Sequence, residues 1–197
     1  MLSKQVPIKQ YNSVIKEFIK MGEEMAKPIV TLSEYNPGWI RDFNEERKRI
    51  KGVIGEKAAG IEHIGSTSIK GLRAKPIIAI IIGVEDVNMV TDLVSPLSKI
   101  GFEYIPKPEW PERRFFRKGL WGRGTCHLHM VEMNGSEWVE KLLFRDYLRN
   151  HPKTAAAYAL LKNELAAKYK DDRPTYTRHK EPFIMEIIEK ARCLNNR

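Results

Sequence analysis

A short polar turn, followed closely by basic residues, has the composition of an anion-binding site. The segment His63–Lys75 reads HIGSTSIKGLRAK, in which Gly65 precedes three hydroxyl residues, Ser66, Thr67 and Ser68. Glycine lets backbone amides approach a ligand closely, and hydroxyl and ammonium groups can donate to its oxygens. Turns of this kind bind phosphate and other anions. The alternative is a turn that only caps a helical turn, with its lysines in water.

A basic, aromatic segment later in the chain could add contacts to the same ligand. Arg113 and Arg117 lie in the sequence RRFFRK, near Trp110 and Trp121. Guanidinium groups bind phosphate through two parallel hydrogen bonds, and Trp or Phe can stack on a base. The alternative is an edge strand whose charged face lies in water.

Two histidines follow at a spacing that allows metal binding. His127 and His129 are two residues apart, so in a strand they project from the same face. They could chelate a transition metal with His63 as third ligand, although most such histidines form structural hydrogen bonds. Glu132 is the one nearby carboxylate that could replace a metal ligand, but it points to the opposite face unless a bulge intervenes. We therefore expect no metal site.

These candidate residues need a buried strand beside the turn. Residues 77–82 and Val84 form an apolar run broken only by Gly83, as in a strand covered on both faces. The predicted order is strand, turn, one helical turn and buried strand. Further strands are predicted at Ile29–Leu32, Phe102–Ile105, Arg113–Lys118 and Cys126–Met133, with a mobile connection from Gly119 to Gly124.

Apolar residues at helical spacing predict the helices. An amphipathic helix from Asn12 to Ala26 forms an N-terminal extension, residues 1–28, ahead of a single domain, residues 29–197. Asp86 is the predicted N-cap of a helix that Pro96 should break or bend. The helices of the domain are predicted from Trp39 to about Gly52, Val87 to Ile100, Ser136 to Asn150, Thr154 to Tyr169 and Thr175 to Leu194. Strands alternating with helices predict an α/β (α+β) fold with a C-terminal helical layer.

One of these helices presents two further arginines. Arg145 and Arg149 are four residues apart and share a face of the predicted helix, and Asp146 can pair with one of them or with a nearby Lys. They are candidate contributors to the anion site.

The overall composition limits the classes of partner. The chain has 197 residues, a formal net charge of +9 and 42% hydrophobic residues, as expected for a water-soluble domain with an anionic partner. Charge alone does not predict specific nucleic-acid binding, because no basic run with interleaved aromatics forms a stacking platform. Two distant cysteines and the lack of a signal peptide or apolar membrane segment predict a reduced, cytoplasmic protein without a membrane partner.

Two sequence blocks resemble the GrpB-like family. The first is His63–Leu72, HIGSTSIKGL, followed by AKPII, and the second is FRDYLR with His151-Pro152, continued by Tyr158, Lys162, Tyr176-Thr177 and Lys180. The family is similar in fold to nucleotidyltransferases, so the resemblance implies a nucleotidyltransferase-like mixed sheet with flanking helices. It also includes a His-x-His, which implies a pocket role for His127 and His129.

The chain departs from the pattern that this resemblance implies. Where the family usually has Asp after Lys-Pro-Ile-Ile, this chain has Ala79, and the second acidic position is Ile81. Carboxylates at those positions could hold Mg²⁺, which would neutralise a triphosphate. Ala and Ile supply no ligand, so transfer by the usual metal mechanism is expected to be disabled.

Two classes of function remain open on this basis. The first is a protein that binds a nucleotide or small phosphate-containing anion at the turn, with a degenerate metal site, and that could also serve as a scaffold for a protein partner. The second is a nucleotidyl or phosphoryl transferase that uses Mg²⁺ with Glu62, Glu85 or Glu132 as substitute acids. The candidate ligand residues are His63, Gly65, Ser66, Thr67, Ser68, Lys75, Arg113, Arg117, His127, His129, Arg145, Arg149 and Lys180.

Overall fold

The computed structural model describes residues 29–120 and 123–195. The predicted helix from Asn12 to Ala26 lies outside the described residues. In chain order the elements are α1 (Gly38–Ile54), β1 (Gly60–Ile64), β2 (Ile78–Val84), α2 (Val90–Lys99), β3 (Phe102–Ile105), β4 (Arg113–Leu120), β5 (Arg123–Glu132), α3 (Ser136–Asn150), α4 (Pro152–Lys168), α5 (Arg173–Arg178) and α6 (Glu181–Asn195).

The five strands form one mixed sheet in the order β1-β2-β5-β4-β3. Strands β2 and β5 are parallel, with Ala79 opposite His127 and Ile81 opposite His129. The other pairs are antiparallel. Strand β2 lies between β1 and β5 and is nearly fully buried, as its continuous apolar run predicts. The predicted α+β fold with a mixed sheet and flanking helices is confirmed.

The main core lies between one face of the sheet and helices α1 and α2. Ile80 and Ile82 of β2 pack in one cluster with Phe43 of α1 and Leu97 of α2. A smaller cluster on the opposite face contains Ile64, Ile81, Val131 and Trp138. Helix α3 therefore covers part of the second face, and the C-terminal helices pack against the segment after the turn.

Three predictions of local structure are wrong. Residues 29–32 form no strand: the nearby pairing is a single bridge between Ser33 and Ala74, and Val30 instead donates its N–H to the Lys170 carbonyl at 2.8 Å. The predicted helix from Thr175 to Leu194 is two helices, α5 and α6, and Pro182 lies in the first turn of the second. A missing proline N–H costs nothing there.

The third wrong prediction concerns the β4–β5 connection. Strand β4 continues to Leu120 and β5 begins at Arg123, so the strands extend into the predicted connection. The register shifts between Lys118 and Gly119, where the φ angle of Gly119 is 95°, a conformation that glycine adopts without strain. Pro96 lies inside the continuous helix α2. The Asp86 carboxylate does accept the Asn88 N–H as predicted, at 2.7 Å, but the cap begins a 3₁₀ turn, Val87–Met89, before α2.

Candidate anion site

The turn after β1 is positioned by a close approach to β2. Gly65 has φ 71°, and a β-carbon added to it would lie 3.3 Å from the Ala79 methyl group. Only glycine fits this left-handed conformation without strain. Ser66–Ser68 then form the predicted single helical turn, of the 3₁₀ type.

The three hydroxyl groups of the turn have different partners. The Ser66 hydroxyl accepts a hydrogen bond from the Lys162 ammonium at 3.1 Å. The Thr67 hydroxyl is hydrogen-bonded to the His63 imidazole at 3.0 Å, and the Ser68 hydroxyl donates to the Gly65 carbonyl at 2.6 Å. The Ser66 hydroxyl is therefore hydrogen-bonded to a cation, whereas the hydroxyl groups of Thr67 and Ser68 stabilise the turn itself.

A cavity of about 210 Å³ opens beside Ser66 and Thr67. Its basic groups come from four different segments of the chain. They are Lys75 before β2, His127 on β5, Lys162 on α4, and Arg173 and Lys180 around α5. No carboxylate is among the described residues that line it. Gly65 is exposed and Ser66 partly exposed, so solvent reaches the cavity. Cations without opposite charges define an anion site electrostatically.

The cavity lowers the pKa of its lysines. Burial, together with the charges of Arg173 and Lys180, lowers the pKa of Lys75 to about 7. Burial and the charges of Lys180 and Arg73 lower the pKa of Lys162 to about 7, and burial and Arg173 lower that of Lys180 to about 8. The positive charges thus destabilise one another in the anion-free protein, and a bound anion would relieve that repulsion.

Tyr176 holds two of these lysines in place. The Lys75 and Lys180 ammonium groups lie 4.6 and 4.5 Å from its ring centre. The ring is buried in a cluster with Val30 and Leu165, so it is a fixed support. Attraction between cation and ring offsets part of the cost of burying the two ammonium groups.

The histidines divide between two faces of the sheet. His63 stacks on Phe43 of α1 with ring centres 4.7 Å apart, on the core side, and burial and two arginines lower its pKa to about 4. His127 lines the cavity, and burial and three cations, first Arg173, lower its pKa to about 4. His129 lies next to it on the same face, and its Nδ1 is buried without a hydrogen-bond partner. The three histidines therefore do not meet as one metal site.

Four predicted arginine contributors lie away from the cavity lining. Arg113 pairs with Glu137 at 3.3 Å and stacks on Trp110, with 4.0 Å between the guanidinium carbon and the ring centre. Arg117 pairs with Glu103 at 2.8 Å. Arg149 donates two hydrogen bonds to the Ser68 carbonyl, at 3.1 and 2.9 Å. That contact stabilises the turn through its backbone, outside the cavity lining.

Arg145 is the most buried of these arginines. It donates to Glu62 at 2.7 Å, to Asp146 at 2.7 and 2.9 Å, and to the His63 carbonyl at 3.1 Å. Replacing Arg145 by Met is therefore expected to lower the free energy of unfolding by about 2 kcal/mol, because Glu62 loses its partner and Asp146 keeps only Arg149, at 3.5 Å. The readout is urea unfolding, with exposed Arg178→Met as the control. A variant as stable as the wild type would contradict this assignment.

The residues beside the turn do not fit a divalent metal ion. Ala79 lines the cavity with a methyl group, and Ile81 is fully buried against Ile64, Val131 and Trp138. The described residues contain no group of three or more His, Cys, Asp or Glu side chains that could hold a metal ion. Of the substitute acids, Glu62 pairs with Arg145, while Glu85 and Glu132 are exposed at the ends of β2 and β5.

Sequence reasoning did not assign Lys162, Arg173, Tyr176 or Thr177 to the site, although all four line the cavity. A signal for Lys162 was available. It lies four residues after Tyr158 and three before Leu165, and these are the three buried residues of α4. A lysine on the buried stripe of a helix needs a partner. Arg173 has no comparable signal, because α5 is too short to show a period.

Comparisons with known proteins place this chain in a family. The family model described as GrpB protein matches residues 29–190. This chain belongs to the GrpB family. It is 41% identical over 160 residues to the UPF0157 protein YqkA of Bacillus subtilis (strain 168), covering 80% of this chain and 46% of that relative. The chain thus spans less than half of that protein's length.

One solved structure agrees with the GrpB assignment. The crystal structure of the conserved protein GrpB from Enterococcus faecalis has a TM-score of 0.75 and 36% identity, and the match covers 82% of this chain and 96% of that chain. A Cid1 poly(U) polymerase structure has a TM-score of 0.45 and 16% identity, and covers 77% of this chain and 48% of that chain. The second likeness is too distant to support a statement about activity.

Within residues 29–120 and 123–195, no helix combines the length and apolar character that crossing a bilayer requires.

Proposed function

We propose that this protein binds a phosphate-containing anion, in particular the phosphates of a nucleotide, in the cavity beside Ser66 and without a metal ion. The observation that carries this proposal is the convergence of Lys75, Lys162, Lys180 and Arg173 on one small cavity whose described lining has no carboxylate. In metal-dependent phosphate sites, acidic side chains hold the metal ion and the metal ion neutralises the phosphates. Here the ammonium and guanidinium groups supply that charge directly.

The direct test is calorimetric titration with tripolyphosphate and ATP in the presence of EDTA. We expect both to bind, and we expect Mg²⁺ to weaken binding, since it would compete with the lysines for the phosphate oxygens. A folded protein that binds neither anion would overturn the proposal. Binding that requires Mg²⁺ would contradict the metal-free form of it.

Binding should also depend on pH in a specific window. The anion-free pKa values of about 7 for Lys75 and Lys162 and about 8 for Lys180 should rise when an anion binds. A raised pKa means that binding is strongest when the lysines are already protonated, below about pH 7, and weakens as pH rises from 7 towards 10. The slope is at most about tenfold per pH unit for each lysine.

Sulfate is the suitable probe, because its own charge does not change in this range. Titrations at pH 6.5, 8 and 9.5 and constant ionic strength should show falling affinity. Lys75→Met should reduce the slope, and Lys70→Met, an exposed lysine near the same turn, should leave it unchanged. Equal affinity at all three pH values would mean that these lysines do not hold the anion.

A transferase that uses substitute acids is the second candidate function. No described contact favours it, because Glu62 is paired with Arg145, and Glu85 and Glu132 do not line the cavity. Whether the protein also binds a protein partner is a separate prediction that stays open to a binding assay.

A further inference from the structure

A row of aromatic and imidazole rings continues the cavity along the same face of the sheet. The Phe115 ring on β4 lies 5.2 Å from the rings of both His127 and His129 on β5. Trp110 meets Phe115 edge to face, with ring centres 6.0 Å apart. We call these four residues the ring shelf. All four are partly exposed, whereas their neighbours Phe116, Leu128 and Met130 are buried in the core on the other face.

His127 joins the ring shelf to the cavity. It belongs to the cavity lining and is also in contact with Phe115. His129 follows two residues later on the same strand, which places it about 7 Å further from the cavity. A ligand whose phosphates lie against Lys75 and Lys162 would therefore have the rings alongside its remaining part.

The ring shelf also contains an unmet hydrogen bond. The Nδ1 of His129 is buried without a partner, and so is the Nε of Arg113 beside it on β4. Buried polar atoms are nearly always hydrogen-bonded, so such groups call for an explanation. Burial and the nearby charge of Arg113 hold the pKa of His129 well below its usual range. The imidazole is therefore neutral at pH 7 and offers one donor and one acceptor.

We propose that the ring shelf binds the base of a nucleotide whose phosphates occupy the cavity. This inference rests on the proposed function and narrows it, because it distinguishes a nucleotide from a sugar phosphate or an inorganic polyphosphate. A base has a flat face that can stack on Phe115, and polar edges for His127, whose ring stands at 78° to that of Phe115, and for His129. Stacking on aromatic side chains tolerates any base, so the polar edge contact decides which base is preferred.

The test compares a ligand without a base with four ligands that carry one. Tripolyphosphate carries only the phosphates, and ATP, GTP, CTP and UTP add a nucleoside. We expect at least one nucleotide to bind the wild type about five- to a hundredfold more tightly than tripolyphosphate, the range that one stacked base provides. Phe115→Leu should remove most of that preference and leave tripolyphosphate affinity unchanged, and Phe115→Tyr should retain it.

A matched control lies on the other face of the sheet. Tyr104 of β3 packs against the buried Phe116, so Tyr104→Leu removes a ring from the same sheet without touching the ring shelf. It should leave the nucleotide preference unchanged. His129→Leu should lower the preference without lowering the melting temperature, since the unpartnered Nδ1 is removed. A purely structural role for His129 would lower the melting temperature instead.

The outcomes separate the two proposals. The ring shelf would be overturned as a base site, while the anion cavity stands, if the wild type bound every nucleotide and tripolyphosphate with equal affinity. The same conclusion would follow if Phe115→Leu lost affinity for nucleotides and for tripolyphosphate alike. If the wild type binds neither class of ligand, the anion cavity fails, and the ring shelf proposal fails with it.

Discussion

Replacing both Lys75 and Lys180 by methionine is expected to weaken tripolyphosphate binding about a hundredfold or more. The two ammonium groups flank the Tyr176 ring and line the cavity. A hydrogen bond to a charged group contributes about 1.5–3 kcal/mol, and two of them would be lost. Methionine is similarly unbranched and keeps most of the apolar contact of the lysine stem.

The same double variant should be more stable than the wild type when no anion is present. Burial and neighbouring cations lower both pKa values below the ordinary lysine value of 10.5, so the folded state disfavours the charged forms that the unfolded chain carries at pH 7. Removing them should raise the melting temperature by about 3 °C. Opposite effects on binding and stability are typical of a binding site.

The control is the double variant Lys70→Met with Lys153→Met, since both lysines are exposed. It lowers the net charge by the same amount as the cavity variant. It should alter tripolyphosphate affinity by less than about threefold, because the charges of exposed lysines are screened. If the control loses as much affinity as the cavity variant, the anion is attracted by overall charge and not by the cavity.

Ile81→Asp is expected to prevent stable folding, whereas Ala79→Asp should fold and lose anion binding. Ile81 has no exposed surface and packs against Ile64, Val131 and Trp138. An unpaired carboxylate there should cost at least about 4 kcal/mol, out of a total stability of about 5–15 kcal/mol. Ala79 instead lines the cavity, where a carboxylate would pair with a lysine and occupy the place of the anion.

Circular dichroism and titration with tripolyphosphate measure these two effects, with Ile81→Val and Ala79→Ser as matched controls. Both controls should fold, and Ala79→Ser should retain anion binding. A well-folded Ile81→Asp protein would show that β2 is not packed as described. Undiminished binding by Ala79→Asp would show that the anion lies elsewhere.

The sequence was sufficient to predict the elements around the turn. Gly65 with three hydroxyl residues predicted a tight turn, and the apolar run before Val84 predicted a buried strand, because each signal is local. The sequence was not sufficient to predict the structure of short segments. Residues 29–31 have β-branched side chains, yet Val30 packs with Leu165 and Tyr176 from the C-terminal helices, a contact that no local pattern reveals.

The same distinction explains which site residues were found. Lys75 and Ser66 lie within the recognisable turn segment, so the local sequence was enough to assign them to the site. Arg173 is 98 residues beyond Lys75, and only the packing of α5 brings the two together. Conversely, Arg145 and Arg149 share a helix face as predicted, but their hydrogen bonds go to Glu62, Asp146 and backbone carbonyls. Spacing predicted the shared face and Asp146 as a partner, which is confirmed, but it could not identify Glu62 or the backbone carbonyls.

The most direct measurement is a crystal of this protein soaked in tungstate, an anion whose position anomalous scattering reveals. We expect one strong anomalous peak from tungstate within hydrogen-bonding distance of the Lys75 and Lys180 ammonium groups and facing the Ser66 hydroxyl. A cavity without a peak, in crystals that hold tungstate at another place on the protein, would contradict it.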